Sequence, residues 1–459
     1  MEDAYFTLMK HRIFSLLTIG ALIAAPLYFV ESPLYARVIA IAAICLFVWI
    51  SQLAPPIVPT LLLWTLVPLA IYPIDPRFSL QTVLTWAVDP VMALFFGGFT
   101  LGVAAEVYGL DKRLAAFALR FAGRSFSLFL LLIILITAFF SMWLSNIAAA
   151  ALVLACLRPV LREFRDDHLL RRTLLIGVAL GADFGGIATP IGTGPNAIAI
   201  ASLAPTLHVS FVEWMVFAFP LTIAMLILSY GVLLFRARSE TKEWVAPDGD
   251  LMNSLTVDEE KKPSVFGERV FLLILAATVI LWLTEPWHKI PAAVIALASA
   301  ATLFLSGTLQ KKDVLRIDWS TLLLIAGGIT LGRLLEQSGL VKEISANVPF
   351  SELNITLSLF VICFASALLS AVMSNTATVV LLIPLATAII PAPSTAILVA
   401  ISASFGIPFV IGTPPNAMAF GEGGVKFGDL FWPGLLLMVV GCLIVSLTGR
   451  AVLNFVGIP

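Results

Sequence analysis

Long apolar stretches, separated by short polar segments, run through the whole chain. Each stretch approaches the roughly 20 residues that an α-helix needs to cross a bilayer. In the first part of the chain they predict transmembrane helices at about 13–30, 35–53, 57–73, 88–108 and 211–235. After a charged segment from Arg236 to Gly267 the pattern restarts, and it predicts helices at about 268–284, 291–308, 318–337 and 429–456. The pattern therefore predicts an all-α integral membrane protein.

Four further apolar stretches are each interrupted near the middle, two by Ser-Asn and two by Gly-Thr-x-Pro-Asn. The Ser-Asn stretches are 126–158, interrupted at Ser145-Asn146, and 354–391, interrupted at Ser374-Asn375. The Gly-Thr-x-Pro-Asn stretches are 170–205, broken by the run Gly185–Asn196 that ends in the motif, and 395–424, which contains the motif at Gly412–Asn416. We predict that the first pair are re-entrant hairpins and that the second pair are broken helices.

The second part of the chain repeats short motifs of the first part in the same order. The matched motifs begin at Gly97 and Gly327, Tyr108 and Ser338, Ser145 and Ser374, Gly192 and Gly412, and Phe219 and Trp432. The offset falls slowly from 230 residues for the first pair to 213 for the last. Five ordered matches with shrinking offsets indicate an old duplication with shortened loops.

The hairpins decide the predicted topology. If each hairpin enters and leaves on one side, each half crosses the membrane five times, and the second copy is inverted relative to the first. With the N-terminus in the cytoplasm, this arrangement places most of the 27 Lys and Arg residues on the cytoplasmic side, as the positive-inside rule requires. We therefore predict a multi-pass protein of the cell inner membrane with about 11 transmembrane helices plus the two hairpins. Its predicted parts are an N-terminal helix (1–33), a first inverted repeat (34–236), a cytoplasmic loop (237–264) and a second inverted repeat (265–459).

Composition agrees with a lipid environment and excludes other functions. Hydrophobic residues make up 60% of the chain and charged residues only 12%, which is too little charge for a soluble surface. A net charge of −1 argues against nucleic-acid binding, which needs a basic surface. The four cysteines and four histidines are too dispersed for a metal site, and no acid, base and nucleophile cluster suggests an enzyme.

The Ser-Asn interruptions carry the first chemical signal. An Asn in the middle of the membrane is costly unless its hydrogen bonds are satisfied. At a hairpin tip, Ser and Asn can end one helix and cap the next. The returning helix then directs its free N–H groups and positive dipole end toward the tip, which favours an anion there.

The Gly-Thr-x-Pro-Asn runs carry the second signal. Pro is favoured in the first turn of a helix but cannot continue one, so a helix is expected to restart near Pro195 and near Pro414. Gly192 and Gly412 permit unwound backbone, whose carbonyl oxygens can contact a cation. The two halves are thus expected to bring helix N-termini and hard oxygen ligands to one place, which suits an anion together with Na⁺.

These segments resemble a known family, the divalent anion/sodium symporters, which include di- and tricarboxylate carriers and sulfate carriers. The resemblance covers nearly the whole chain and is carried by 141–146, by 372–378 and by the two Gly-Thr-x-Pro-Asn runs. It implies a homodimer in the lipid bilayer that moves a small anion, coupled to Na⁺, by elevator-like motion.

The resemblance also implies roles for individual residues. Substrate binding would fall on Ser145, Asn146, Thr193, Ser374, Asn375, Thr376, Thr413 and Pro414. A first sodium site would fall on Ser141, Ser145, Asn146 and Gly192, and a second on Ser370, Ser374, Asn375 and Gly412.

Three positions depart from a symmetric site and leave alternatives open. Ile147 stands where the second half has Thr376, and Gly194 stands where it has Pro414. The missing hydroxyl makes sulfate, a short or asymmetric dianion, or a monoanion alternatives to a symmetric dicarboxylate. Asp183 is a candidate sodium ligand or proton-coupling group, or else a carboxylate at a water-filled helix end. A sodium-independent anion exchanger and a proton-coupled ion transporter therefore remain alternatives.

Overall fold

The computed structural model describes residues 18–51, 53–55, 57–109, 125–203, 207–244, 265–346 and 354–458, and these residues form helices and loops without any β-strand. The predicted all-α fold is confirmed. Three features of the sequence lie wholly or mostly outside the described residues: the start of the first predicted helix (13–17), a polar, basic segment at 111–125 of which residue 125 alone is described, and most of the predicted cytoplasmic loop (245–264).

The helices follow the predicted order, with three short additions. Before the central loop they are α1 (Thr18–Phe29), α2 (Pro33–Ser51), α3 (Ile57–Ala70), α4 (Leu80–Ala87), α5 (Pro90–Val107), α6 (Phe126–Ser141), α7 (Asn146–Arg162), α8 (Leu169–Gly185), α9 (Gly194–Leu203) and α10 (Phe211–Ala237). After it they are α11 (Val265–Leu283), α12 (Glu285–His288), α13 (Ala292–Leu305), α14 (Trp319–Gln337), α15 (Leu340–Ala346), α16 (Ile355–Ser370), α17 (Asn375–Ile389), α18 (Pro393–Ala403), α19 (Pro414–Gly421) and α20 (Phe427–Phe455). The short helices α4, α12 and α15 lie where loops were predicted.

Four helices of the described chain are long and apolar enough to cross a membrane, namely α5, α10, α11 and α20. Several shorter apolar helices, α6, α16 and α17 among them, accompany them. The number of crossings and the inverted relation between the halves stay predictions.

The two Ser-Asn stretches fold as helical hairpins with short turns. In hairpin 1 (α6 and α7) the chain turns at 142–145, and in hairpin 2 (α16 and α17) it turns at 371–374. Ser145 and Ser374 have extended backbone conformations and cap the returning helices with their side chains, as the sequence predicts. Each hairpin tip is therefore the N-terminus of a helix.

The second helix of each broken stretch, α9 in the first half and α19 in the second, packs against the other half of the chain. Helix α9 of the first half packs against α14, α17 and α18 of the second half. Helix α19 of the second half packs against α7 and α8 of the first half. This packing brings both hairpin tips and both helix breaks to one region.

Candidate functional site

A cavity of about 430 Å³ lies between the two hairpin tips and the two helix breaks. All eight predicted substrate-binding residues line it: Ser145, Asn146, Thr193, Ser374, Asn375, Thr376, Thr413 and Pro414. Gly192 and Gly412, two of the predicted sodium ligands, line it as well. The remaining predicted ligands, Ser141 and Ser370, are fully buried behind the tips. The sequence thus selected residues that the fold brings together from four separate segments.

The tip of hairpin 1 concentrates oxygen atoms. The Ala148 N–H donates to Ser145 Oγ at 3.3 Å and completes the cap of α7. Ser141 Oγ lies 2.8 Å from Asn146 Oδ1 and 2.6 Å from the carbonyl oxygen of Ala182. The single hydroxyl proton of Ser141 can serve only one of these two contacts, so the cluster has more acceptor oxygens than protons. Such a set of hard oxygens fits Na⁺.

The tip of hairpin 2 repeats this geometry. The Ala377 N–H donates to Ser374 Oγ at 3.1 Å and caps α17. Ser370 Oγ donates to Asn375 Oδ1 at 2.7 Å, which matches the Ser141 and Asn146 contact at the same sequence separation. The second predicted sodium site therefore has the same pair of side-chain oxygens as the first.

An asparagine in each helix break holds the unwound backbone in place. Asn196 Nδ2 donates to the carbonyl oxygens of Gly186 and Thr189, at 2.9 and 2.8 Å. In the second half Asn416 Nδ2 donates to those of Ile407 and Phe409, at 3.1 and 3.3 Å. This role was not predicted from the sequence, although the recurrence of both asparagines in the Gly-Thr-x-Pro-Asn motif is a signal that could have identified it.

Gly194 permits a close contact between the two halves. A Cβ atom at this position would lie 2.6 Å from Thr376 Oγ1, which is too close for an ordinary contact. The small residue therefore makes room for the threonine of hairpin 2. This contact explains why the first half has Gly194 where the second half has Pro414.

The two tips differ in what they present to the cavity. Thr376 is almost fully buried, with 8% of its surface exposed, and its hydroxyl lies against Gly194. Ile147, at the matching position of hairpin 1, lines the same cavity and is 45% exposed. One side of the cavity therefore offers a hydroxyl group and the other an apolar side chain.

Asp183 lies behind the cavity and not at a water-filled helix end. Its side chain is fully buried in the last turn of α8, and it is not among the residues that line the cavity. Thr413 Oγ1 donates to Asp183 Oδ2 at 2.9 Å, and Thr413 also caps α19 by accepting from the Asn416 N–H at 3.3 Å. This hydrogen bond joins the first half to the second.

The electrostatics of the cavity come from neutral groups. None of the described residues that line it is charged. The N-termini of α7, α9, α17 and α19 all reach it, at Asn146, Gly194, Asn375 and Pro414. Because each helix N-terminus carries free N–H groups and a partial positive charge, the arrangement favours an anion. Within the described residues, no cluster of His, Cys, Asp and Glu could hold a transition metal.

An all-helical fold with several apolar helices and a neutral central cavity places the protein in the class of membrane transporters. The chain belongs to the citrate transporter family (CitMHS), whose family model matches residues 27–397 and 356–456.

Individual relatives agree with this assignment. An uncharacterized transporter of Haemophilus influenzae is 28% identical, and the match covers 90% of each chain. The sodium-dependent dicarboxylate transporter SdcS of Staphylococcus aureus is 26% identical, over 95% of this chain and 92% of its own. The crystal structure of the YdaH transporter of Alcanivorax borkumensis shares the fold with a TM-score of 0.56 and 16% identity, over 88% of this chain and 98% of that one.

Proposed function

We propose that the protein is a sodium-coupled transporter of a small di- or tricarboxylate anion and that the cavity between the hairpin tips is its substrate site. The observation that carries the proposal is the convergence of four helix N-termini on one cavity, which has no charged residue among the described residues that line it. The similarity to the sodium-dependent dicarboxylate transporter SdcS supports the same substrate class and coupling ion.

The two hairpin tips provide a separate contact for each end of a dicarboxylate. Ser145 and Asn146 would bind one carboxylate at the start of α7, and Ser374 and Asn375 the other at the start of α17. A helix N-terminus contributes about 0.3–1 kcal/mol to binding an exposed anion and up to about 2 kcal/mol in a partly buried site. Hydrogen bonds to a charged group add about 1.5–3 kcal/mol each. A few such contacts are sufficient for binding in the micromolar range without an Arg or Lys residue.

Sodium ions would provide the positive charge that the cavity lacks. The oxygens of Ser141 and Asn146 at one tip, and of Ser370 and Asn375 at the other, are the side-chain ligands we assign to two Na⁺ ions. Bound sodium would neutralise a dianion in the cavity and fix both tips in their capping conformation. Substrate binding would then depend on sodium binding, which is the requirement for coupled transport.

The position of the cavity along α5 and α14 supports an elevator-like movement. The cavity touches α5 at Phe95 and Phe99, and α14 at Thr321 and Leu324. When the matched glycine motifs of α5 and α14 are aligned, the equivalents of the two phenylalanines lie about four residues further along α14. In a transporter built from inverted repeats, the state open to the opposite side of the membrane exchanges the conformations of the two halves. The cavity would then contact each of the two helices about four residues away from its present contacts. At 1.5 Å per residue, the site would shift by about 6 Å along both helices.

Uptake by proteoliposomes tests the proposal. Asn146→Ala and Asn375→Ala each remove a tip oxygen and should abolish sodium-driven uptake of succinate and citrate. The matched control is Asn454→Ala, at an exposed position near the end of α20, which should transport normally. Normal uptake by either tip variant would refute the site assignment, and equal uptake with sodium and choline gradients would refute sodium coupling.

A further inference from the structure

Asp183 is a buried acid that the proposed sodium sites do not use. Its side chain is fully buried, and Asp183 Oδ1 has no hydrogen-bond partner among the residues that the structure describes. Its other oxygen, Oδ2, accepts only the hydroxyl of Thr413. A carboxylate anion isolated in a low-dielectric interior is very unfavourable, so the group needs a cation close to it.

Basic residues do not fulfil this need in the described part of the chain. The two arginines of α8, Arg171 and Arg172, lie near its other end, roughly 16–18 Å away along the helix axis at 1.5 Å per residue. Helices α6, α7, α10, α19 and α20 pack against α8. Helices α6 and α19 contain no ionisable residue. The ionisable residues of the other three are Cys156, Arg158 and Arg162 on α7, Glu213, Tyr230 and Arg236 on α10, and Asp429, Cys442 and Arg450 on α20. None of them is hydrogen-bonded to Asp183 in the described structure.

Asp183 is connected to the substrate cavity through one hydroxyl group. Thr413 lines the cavity, caps α19 and donates to the carboxyl group of Asp183. A change of charge at Asp183 therefore acts directly on a residue at the substrate site. The position that matches Asp183 in the second half is Ala403, so this device exists in the first half alone.

We propose that Asp183 binds one coupling cation, H⁺ or Na⁺, in addition to the two ions at the hairpin tips. This inference rests on the proposed function, because it adds a cation to the same transport cycle. With the cation bound, the carboxylate and the cation together carry no net charge, so they can cross the membrane with the substrate. When the cation leaves, the free carboxylate attracts the Thr413 hydroxyl more strongly, so this hydroxyl is less available to bind the substrate. Cation release and substrate release are thereby linked.

A cation bound at Asp183 adds one positive charge to each transport cycle. Two Na⁺ ions balance a dianion, so one more cation makes the wild-type cycle carry a net charge of about +1. An inside-negative potential of about 60 mV should then raise the equilibrium accumulation of succinate about tenfold. The Asp183→Asn variant keeps the shape of the side chain but loses its charge, and its accumulation should no longer depend on the potential. The control Glu163→Gln, which removes an exposed acid, should behave as the wild type.

Separate gradients identify the cation. If the ligand is H⁺, a pH gradient with sodium held equal on both sides should drive uptake in the wild type but not in Asp183→Asn. If the ligand is Na⁺, the sodium dependence of accumulation should fall by one ion in the variant. Identical responses of wild type and variant to potential and to both gradients would overturn the inference while leaving the proposed transport function intact.

Cation binding at Asp183 can also be measured without substrate, which covers the cases in which the variant fails to transport or succinate is not the substrate. Infrared difference spectra of the purified wild-type protein should show a carboxyl band that responds to pH, or a carboxylate band that responds to sodium. Asp183→Asn should lack that band, with its folding checked by thermal unfolding. A wild-type spectrum that responds to neither cation would overturn the assignment.

Discussion

Replacing Ile147 with threonine should give the tip of hairpin 1 the hydroxyl group that the tip of hairpin 2 already has. Ile147 lines the cavity at the position where hairpin 2 has Thr376. It is 45% exposed, so its removal leaves little buried space behind and should not harm folding. The new hydroxyl would stand in the first turn of α7, beside the cap formed by Ser145.

The size of the effect follows from the hydrogen bond that the new hydroxyl can form. A hydrogen bond to a charged group contributes about 1.5–3 kcal/mol, which corresponds to about tenfold to a hundredfold in affinity. Since residue 147 is partly exposed, water competes for the hydroxyl and the lower limit applies. We therefore expect the KM for succinate to fall about tenfold in Ile147→Thr. A monocarboxylate such as butyrate, which cannot reach both tips, should gain much less.

Uptake kinetics in proteoliposomes under a fixed sodium gradient measure this change. The matched control is Ile147→Val, because valine and threonine have nearly the same shape and differ in the hydroxyl group alone. Both variants reduce the apolar side chain, so any effect of added space appears in both. Equal KM values for succinate in the two variants would refute the proposed contact between residue 147 and the substrate.

Two further substitutions test other parts of the structure. Gly194→Ala places a Cβ atom 2.6 Å from Thr376 Oγ1, so it should displace the threonine and raise the KM for succinate severalfold at unchanged thermal stability. An unchanged KM would show that Thr376 does not contribute to substrate binding. Asp429→Asn breaks a buried pairing with two arginines, including Arg172 at 2.7 Å, and should destabilise the protein by about 3–5 kcal/mol in unfolding experiments. Asp75→Asn breaks an exposed ion pair and is its control, with an expected change below about 1 kcal/mol; similar losses in the two variants would contradict the importance of burial.

Local signals made the hairpin tips predictable. An Asn in an apolar stretch, preceded by a Ser that can cap a helix, indicates a turn and a new helix from a few neighbouring residues. The second copy of each motif showed which interruptions belong together. These signals were sufficient to select the eight predicted substrate residues from the sequence. All eight line one cavity, although no single segment contains more than three of them.

Contacts between the halves were not predictable from the sequence. The hydrogen bond from Thr413 to Asp183 joins residues 230 positions apart, and the contact of Gly194 with Thr376 depends on how α9 meets hairpin 2. No periodic pattern in the sequence indicates that Asp183 pairs with Thr413 or that Gly194 contacts Thr376. The short helices α4, α12 and α15 were missed for another reason: with fewer than three turns they give too weak an apolar pattern to distinguish them from loops.

The neutrality of the cavity has a consequence for the proposed transport cycle. A fixed arginine would bind the anion tightly whether or not sodium were present, and it would have to cross the membrane unpaired after the anion had left. A charged side chain in the bilayer centre is costly, by at least about 2.5 kcal/mol. Helix N-termini bear only partial charges that remain bound to the backbone, so the lining of an empty cavity can return without that cost. Because the full positive charge would come from mobile cations, a loaded site would be neutral only when anion and cations were present together. In this scheme a neutral cavity is what makes anion movement depend on the cation gradient.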